Sequence, residues 1–102
     1  MSQPQSITAI IYDRKGRVLS IGQNSYIKTH PMQALHAAKV GEHHKVFLHA
    51  EIAAITRCSD LSKAHRILVT RYDSKGRPTL AAPCSICRSA LATTNIKIIQ
   101  HT

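Results

Sequence analysis

Residues 46–58 read VFLHAEIAAITRC, and their apolar side chains recur at the spacing of an α-helix. This periodicity predicts a buried helix over 46–58, which the stretch SDLS at 59–62 ends. His49 and Glu51 lie inside this apolar stretch. A buried carboxylate without a partner costs on the order of several kcal/mol. Glu51 therefore indicates a neighbouring group that uses its charge.

Two predicted strands precede this helix. Residues 7–12 form a β-branched run, and residues 17–22 alternate polar and apolar side chains. Gly16, in the turn-forming stretch 13–16, can adopt positive φ, so the two strands predict a hairpin. Residues 23–45 are a long polar stretch with a short helix predicted at 32–40. A connection of this length usually serves as a lid or a binding loop.

Downstream of the helix the pattern returns to strands. Residues 66–72 predict a third strand, 73–78 a turn, 84–94 a further helix and 96–99 a last strand. The order β-β-α-β-α-β predicts an α/β fold with helices on a mixed sheet of about four strands. With 102 residues, the chain is expected to form one domain over 1–102. We expect no internal repeat.

The composition favours an anionic partner. The formal net charge is +9, from 14 Lys and Arg against 5 Asp and Glu. A phosphorylated small molecule or a nucleic acid fits this balance, and so does a basic surface that only keeps the protein solvated. No apolar stretch reaches the length of a membrane span, and residues 1–6 lack the apolar core of a secretory signal. We therefore expect a cytoplasmic protein that does not enter a membrane.

A second motif, PCSIC, occupies residues 83–87 at the start of the predicted helix 84–94. Cys84 and Cys87 are one helical turn apart on one face, near a helix N-terminus that favours thiolates. Two thiolates at this spacing suit Zn²⁺, which takes sulfur at about 2.3 Å in a tetrahedral site. Pro83 suits the first turn because its φ is fixed. The odd count of 3 cysteines argues against a disulfide framework.

His49 completes a set of three metal ligands in this interpretation. A neutral imidazole is the natural third donor, and three protein ligands leave the fourth position to water, as in catalytic zinc sites. Zinc lowers the pKa of that water from about 15.7 towards about 7. Glu51 can then take a proton from the water and deliver it to a leaving amine.

The combination of His49-Ala50-Glu51 with PCSIC resembles the zinc-dependent cytidine and deoxycytidylate deaminase superfamily, over about residues 7–100. The resemblance implies a three-layer α/β/α fold around a mixed sheet. It also implies that His49, Cys84 and Cys87 bind zinc and that Glu51 moves protons. That superfamily also contains transfer-RNA adenosine deaminases and polynucleotide cytosine deaminases.

The resemblance extends to substrate contacts. It implies that the Ala50 backbone N–H holds a carbonyl of the base, and that a carbonyl near Ala82 and Pro83 accepts from the leaving amine. Asn24 matches the asparagine that binds sugar or base in members of the superfamily. Those members usually have a fifth strand and further helices beyond the fourth strand, which is where this sequence ends.

Two departures bear on the substrate. Asn24 is followed by Ser25 and Tyr26, whereas deaminases of free cytidine typically have Asn-x-Glu. Small tetrameric members often have cysteine at the position of His49. Both differences favour the deoxycytidylate or polynucleotide branches. Residues 71–82 are also longer than the usual link before PCxxC, which predicts a flap beside the site.

The leading hypothesis is a hydrolase that converts a cytosine-type base, best a free nucleotide or nucleoside such as deoxycytidylate, to its uracil-type product and ammonia. An alternative is deamination of cytosine or adenine within single-stranded DNA or RNA. A third hypothesis is a non-catalytic zinc-stabilised nucleic-acid-binding module with Cys58 as fourth ligand. Phosphate contacts are considered for Lys28, Arg71 and Arg88. We also expect a homo-oligomer, with a dimer as the first choice.

Overall fold

The computed structural model describes residues 7–25, 29–41, 48–73 and 75–102. Its strands are β1 Ile7–Tyr12, β2 Val18–Gln23, β3 Arg66–Arg71 and β4 Ile98–His101. Its helices are α1 Pro31–Lys39, α2 Ala50–Arg57 and α3 Ser85–Leu91, with a short 3-10 helix at Leu61–Lys63. Within the described residues, no helix combines the length and apolar character needed to cross a bilayer.

The strands form one mixed sheet in the order β2-β1-β3-β4. β1 is antiparallel to both β2 and β3, whereas β3 and β4 are parallel. All of β1 pairs with β3, from Ile7 opposite Arg71 to Tyr12 opposite Arg66. The predicted α/β class with a mixed four-stranded sheet is confirmed.

The hydrophobic core lies between one face of this sheet and the helices. Ala9 and Ile11 of β1 and Ile67 and Val69 of β3 are at most 1% exposed, because alternate side chains of a strand point to the same face. α2 packs on β1 and β2, and α3 packs against α1 and α2. Ile86 of α3 is fully buried in the same core. This packing brings the N-termini of α2 and α3 together at one end of β1 and β3.

The opposite face of the sheet carries an apolar row. Ile10 pairs with Ile21 of β2 and with Leu68 of β3, so the three side chains share that face. Ile21 is 49% exposed there. The resemblance implies a layer of helices on each face of the sheet. Among the described residues, the helices cover the face that carries the hydrophobic core.

Gly22 allows α2 to lie directly against β2. A Cβ on this residue would stand 2.2 Å from the Ala54 nitrogen and 2.5 Å from the Ala50 oxygen, both backbone atoms of α2. Ser20, two residues earlier on the same face, donates its hydroxyl to the Ala54 carbonyl. The helix that carries the first motif is therefore fixed to the sheet by close backbone contact.

Three elements differ from their predicted spans by more than one residue. The helix predicted over 84–94 runs over Ser85–Leu91, and the Thr93 and Thr94 hydroxyls donate to carbonyls at its end. The helix predicted over 46–58 begins at Ala50 and ends at Arg57, while residues 46–47 lie outside the described part of the chain. The last strand runs over Ile98–His101 instead of 96–99. Ile96 donates its N–H to the Thr94 hydroxyl in a turn and packs against the core from there. The bounds of β4 follow from its backbone pairing with β3 and not from the apolar run predicted at 96–99.

The expectation that nothing repeats is wrong for the turns. Tyr-Asp-x-Lys-Gly-Arg occurs at 12–17 and again at 72–77. In each copy the aspartate accepts backbone N–H groups and pairs with the arginine, as Asp13 does with Arg17 and Asp73 with Arg77. The chain therefore uses one turn design at two places.

Candidate metal centre and substrate pocket

The two sequence motifs meet at two helix N-termini. His49 is the N-cap residue of α2 and Cys84 is the N-cap residue of α3, and neither side chain caps its own helix. Cys87 lies one turn into α3 and is fully buried. Exposed N–H groups and the helix dipole make both ends favourable for thiolates and other anions.

The donor atoms of His49, Cys84 and Cys87 form a triangle whose sides suit a zinc ion, and we call it the metal triangle. His49 Nδ1 lies 3.3 Å from Cys87 Sγ and 3.4 Å from Cys84 Sγ. All three donor atoms fall within 4.8 Å of one another. A tetrahedral zinc ion with usual Zn–N and Zn–S bonds separates nitrogen from sulfur by about 3.5 Å. His49, Cys84 and Cys87 are thus positioned as potential zinc ligands, and their donor set fits the metal.

Cys58 does not belong to this cluster. It ends α2 as the C-cap residue, whereas His49 begins the helix. At 1.5 Å of rise per residue the two lie about 13 Å apart along the helix. The described cluster of metal-binding side chains contains His49, Cys84 and Cys87 alone. The hypothesis of a structural zinc site with Cys58 as fourth ligand has no support from this geometry.

The two cysteines differ in acidity. A hydrogen bond from the Cys87 thiol, followed by one from His49, holds the pKa of Cys84 well below its usual range. The neighbouring Cys84 sulfur and burial raise the pKa of Cys87. The opposite shifts indicate that the pair favours one shared proton over two thiolates, and zinc binding would favour loss of that proton because cysteine ligands bind as thiolates.

Glu51 lies in the first turn of α2 and is only 6% exposed. Burial raises the pKa of this carboxyl group, and a hydrogen bond with the Cys87 thiol partly opposes the rise. A carboxyl group with a raised pKa holds a proton more readily than an ordinary carboxyl group, which suits a residue that accepts a proton and returns it. Glu51 lies beside the metal triangle. This site is the neighbouring group that the burial of Glu51 led us to expect from the sequence.

α1 forms hydrogen bonds to the N-terminus of α2 and to α3, the two helices that carry the potential zinc ligands. The sequence did not predict these contacts. Gln33 is fully buried, and its Oε1 accepts the backbone N–H of His49 at 3.2 Å. One turn later, His36 Nδ1 lies 2.8 Å from the Ser89 hydroxyl of α3. Burial lowers the pKa of His36, which favours the neutral imidazole in this contact. The i, i+3 spacing of these two polar residues was the available signal.

A cavity of about 460 Å³ opens onto the metal triangle. His49, Glu51 and Cys84 line it, together with the predicted substrate residues Asn24, Ala50 and Ala82. Its size is that of a small-molecule site. Asn24 also fixes the pocket edge, since its Oδ1 accepts the Ile7 backbone N–H at 2.9 Å.

Pro83 is placed differently from the other predicted substrate residues. It is buried, and its carbonyl accepts Arg88 Nε at 3.2 Å. The described lining of the pocket does not include it. Lys28 and Tyr26 lie outside the described residues.

Arg71 lines the same pocket at the end of β3. Its Nε is buried and has no hydrogen-bond partner within the described part of the chain. One terminal nitrogen lies 3.5 Å from the Leu80 carbonyl. Leu80 and Ala81 also line the pocket, so the two ends of the segment 71–82 border the site.

Comparison with known proteins agrees with this geometry. The family model of the cytidine and deoxycytidylate deaminase zinc-binding region matches residues 2–101. No curated protein sequence matches the chain. The predicted zinc cofactor is confirmed by the family match together with the positioned histidine and cysteines. The family match covers almost the whole sequence, so the chain belongs to the cytidine and deoxycytidylate deaminase family.

Proposed function

We propose that this chain hydrolyses the exocyclic amino group of a cytosine-type base carried on a nucleotide, releasing ammonia. The observation that carries the proposal is a shared cavity: His49 and Cys84, two potential zinc ligands, line the same pocket as the buried carboxyl group of Glu51. A structural zinc site has no need of a buried acid facing a cavity. A hydrolase needs one to move protons.

The chain's own residues account for the proton transfers. His49, Cys84 and Cys87 would hold zinc, which when bound would lower the pKa of a water molecule and make it available as the nucleophile. Glu51 would accept one proton from that water as the water oxygen adds to C4 of the base, and would deliver it to the ring nitrogen N3. Glu51 would then carry the second proton, from the new hydroxyl group on C4, to the amino nitrogen. The C4–N bond breaks, ammonia leaves, and the base keeps the oxygen as a uracil-type carbonyl.

Backbone groups at the pocket orient the base. Ala50 is 1% exposed and begins α2, where the first N–H groups have no acceptor inside the helix. We assign its N–H to a carbonyl oxygen of the base. We likewise assign the carbonyl of Ala82, a residue that lines the pocket before α3, to accept from the amino group before it leaves.

Arg71 favours a substrate that carries phosphate. Its buried Nε lacks an acceptor within the described residues, and a buried donor without an acceptor is unfavourable. A phosphate oxygen would satisfy it through a charge-assisted hydrogen bond. The substrate class proposed here is therefore a nucleotide and not a free base or nucleoside.

A substrate panel tests the proposal. The zinc-loaded protein should release ammonia from deoxycytidylate with a higher kcat/KM than from deoxycytidine or cytosine. Arg71→Gln should raise KM for deoxycytidylate roughly 10- to 100-fold and leave deoxycytidine unchanged, because it removes a charged hydrogen bond. Arg57→Gln, at the exposed end of α2, is the control and should behave as the unmodified protein.

Three outcomes would count against parts of this proposal. Absence of ammonia release from every compound would remove the deaminase function. Faster release from deoxyadenylate would replace cytosine by adenine as the base. An Arg71→Gln variant that keeps its preference for deoxycytidylate would remove Arg71 from phosphate recognition.

Deamination within a single strand is the second candidate, favoured by the net charge of +9. Bases in single strands are already unstacked, so capturing one is inexpensive. A cytosine-containing oligonucleotide therefore belongs in the same panel. A kcat/KM for it above that for deoxycytidylate would make the polymer the preferred substrate.

A further inference from the structure

A second cavity, of about 440 Å³, lies at the opposite end of β1 and β3 from the metal triangle. The turn after β1 forms one side of it, and the short helix Leu61–Lys63 with the segment before β4 forms the other. We call it the basic cleft. Its cationic lining residues are Arg14, Lys15, Arg17, Lys63 and Lys97, with His65 beside them.

The basic cleft keeps an excess of positive charge. Asp13 is the one acidic residue in its described lining. The Asp13 carboxylate is already used: Oδ2 binds Arg17 Nε at 3.0 Å, and Oδ1 accepts the Lys15 and Arg17 N–H groups at 2.9 Å. Arg14, Lys15 and the two lysines of the other wall have no carboxylate in that lining to neutralise them.

The wall that carries Arg14 and Lys15 is held in a fixed shape. Gly16 adopts φ of +83°, which only glycine takes readily, and its N–H donates to the Asp13 carbonyl. On the other wall, Asp60 caps the short helix through the Ser62 N–H. Because the backbone of both walls is already fixed, binding of an anion has to order only the side chains that carry the charges.

The basic cleft is separate from the substrate pocket. Ile7 and Arg71 line the substrate pocket, whereas Asp13 and His65 line the cleft, and β1 and β3 run between them. A strand of six residues spans about 17–20 Å. A nucleotide held at the metal triangle therefore does not fill the cleft, which needs a ligand of its own.

We propose that the basic cleft binds the phosphodiester backbone of a single-stranded nucleic acid without reading its bases. The five cations come from three separate segments, a spread that suits successive phosphates better than one phosphate group. No Phe, Tyr or Trp side chain belongs to the described lining, so the cleft lacks the large aromatic rings on which successive bases stack. Backbone binding stands on the cleft alone. The choice of a single strand over a duplex rests on the second candidate function, deamination within a single strand.

Binding of a labelled oligothymidylate of about 20 nucleotides to the zinc-loaded chain tests this proposal. Thymine has no exocyclic amino group, so the measurement does not depend on deamination. Each phosphate contact contributes about 0.7 to the slope of log K against log salt for single strands. Lys15→Gln, Lys63→Gln and Lys97→Gln should each lower the slope by that amount and weaken binding about fivefold at about 0.1 M salt.

The repeated turn supplies a matched control. Lys75 holds the position of Lys15 in the second copy and likewise donates its N–H to the turn aspartate, but it does not line the cleft. Lys75→Gln should leave oligothymidylate binding unchanged. An equal loss for Lys75→Gln would show attraction to the overall charge and overturn the proposal, as would absence of binding.

Two competing ligands test whether the basic cleft prefers another phosphate-containing molecule to a single strand. Inorganic tripolyphosphate that displaces the oligomer at equal phosphate concentration would make a small polyphosphate the ligand and overturn the proposal. A duplex that binds more tightly than the single strand would do the same. Lys15→Gln should retain deoxycytidylate turnover, so failure of the cleft proposal and failure of the deaminase proposal give different results.

Discussion

Replacing Glu51 with glutamine should lower kcat for deoxycytidylate roughly 100- to 10,000-fold while zinc stays bound, since that range is typical of general acid–base catalysis. Glutamine keeps the shape and the hydrogen-bonding capacity of the side chain but cannot accept a proton. The carboxyl group is 6% exposed, so solvent does not replace it efficiently. Single-turnover ammonia release and bound zinc per chain are the two measurements.

The control for this prediction is a carboxylate outside the pocket. Asp60 caps the short 3-10 helix and does not line the substrate pocket. Asp60→Asn should therefore turn over substrate at the normal rate. Normal ammonia release by Glu51→Gln would remove Glu51 from the chemistry, and loss of zinc from that variant would make its role structural.

Cys84→Ala should release zinc and lose all turnover. The change leaves one histidine and one cysteine, and removing a ligand should weaken zinc binding by more than the roughly 10- to 100-fold seen when only a ligand's supporting residue is changed. Cys84 is half-buried, whereas Cys87 is fully buried, so Cys84→Ala disturbs the core less than the equivalent change at Cys87. Metal analysis after dialysis measures the effect, with circular dichroism to check folding.

Cys58→Ala is the matched control because Cys58 is also half-buried but lies at the far end of α2. This variant should keep one zinc ion per chain and normal activity. If it released zinc to the same extent as Cys84→Ala, the site would be structural and the open position required for hydrolysis would be filled.

The sequence predicted those parts of the fold that depend on local pattern. β1 lies where the β-branched run placed it, and β3 differs from its predicted span by one residue at its end. The two motifs also predicted which side chains gather, because His49 and Cys84 each begin a helix. Such elements carry their signal in periodicity and in residue types at helix ends.

Other features depend on tertiary contacts and had no local signal. His36 belongs to the long polar stretch 23–45, yet it is 3% exposed because α1 packs on α3. Gly22 resembles an ordinary strand residue until α2 is placed against it. The basic cleft combines segments that are distant in sequence, so the charge total of the chain gave no hint of its location.

X-ray absorption at the zinc edge of the loaded protein tests the central claim most directly. The account predicts one zinc ion per chain with two sulfur donors at about 2.3 Å and two lighter donors, one imidazole nitrogen and one solvent oxygen, at about 2.0–2.1 Å. A spectrum with three or four sulfur donors, or a protein that retains no zinc, would contradict it.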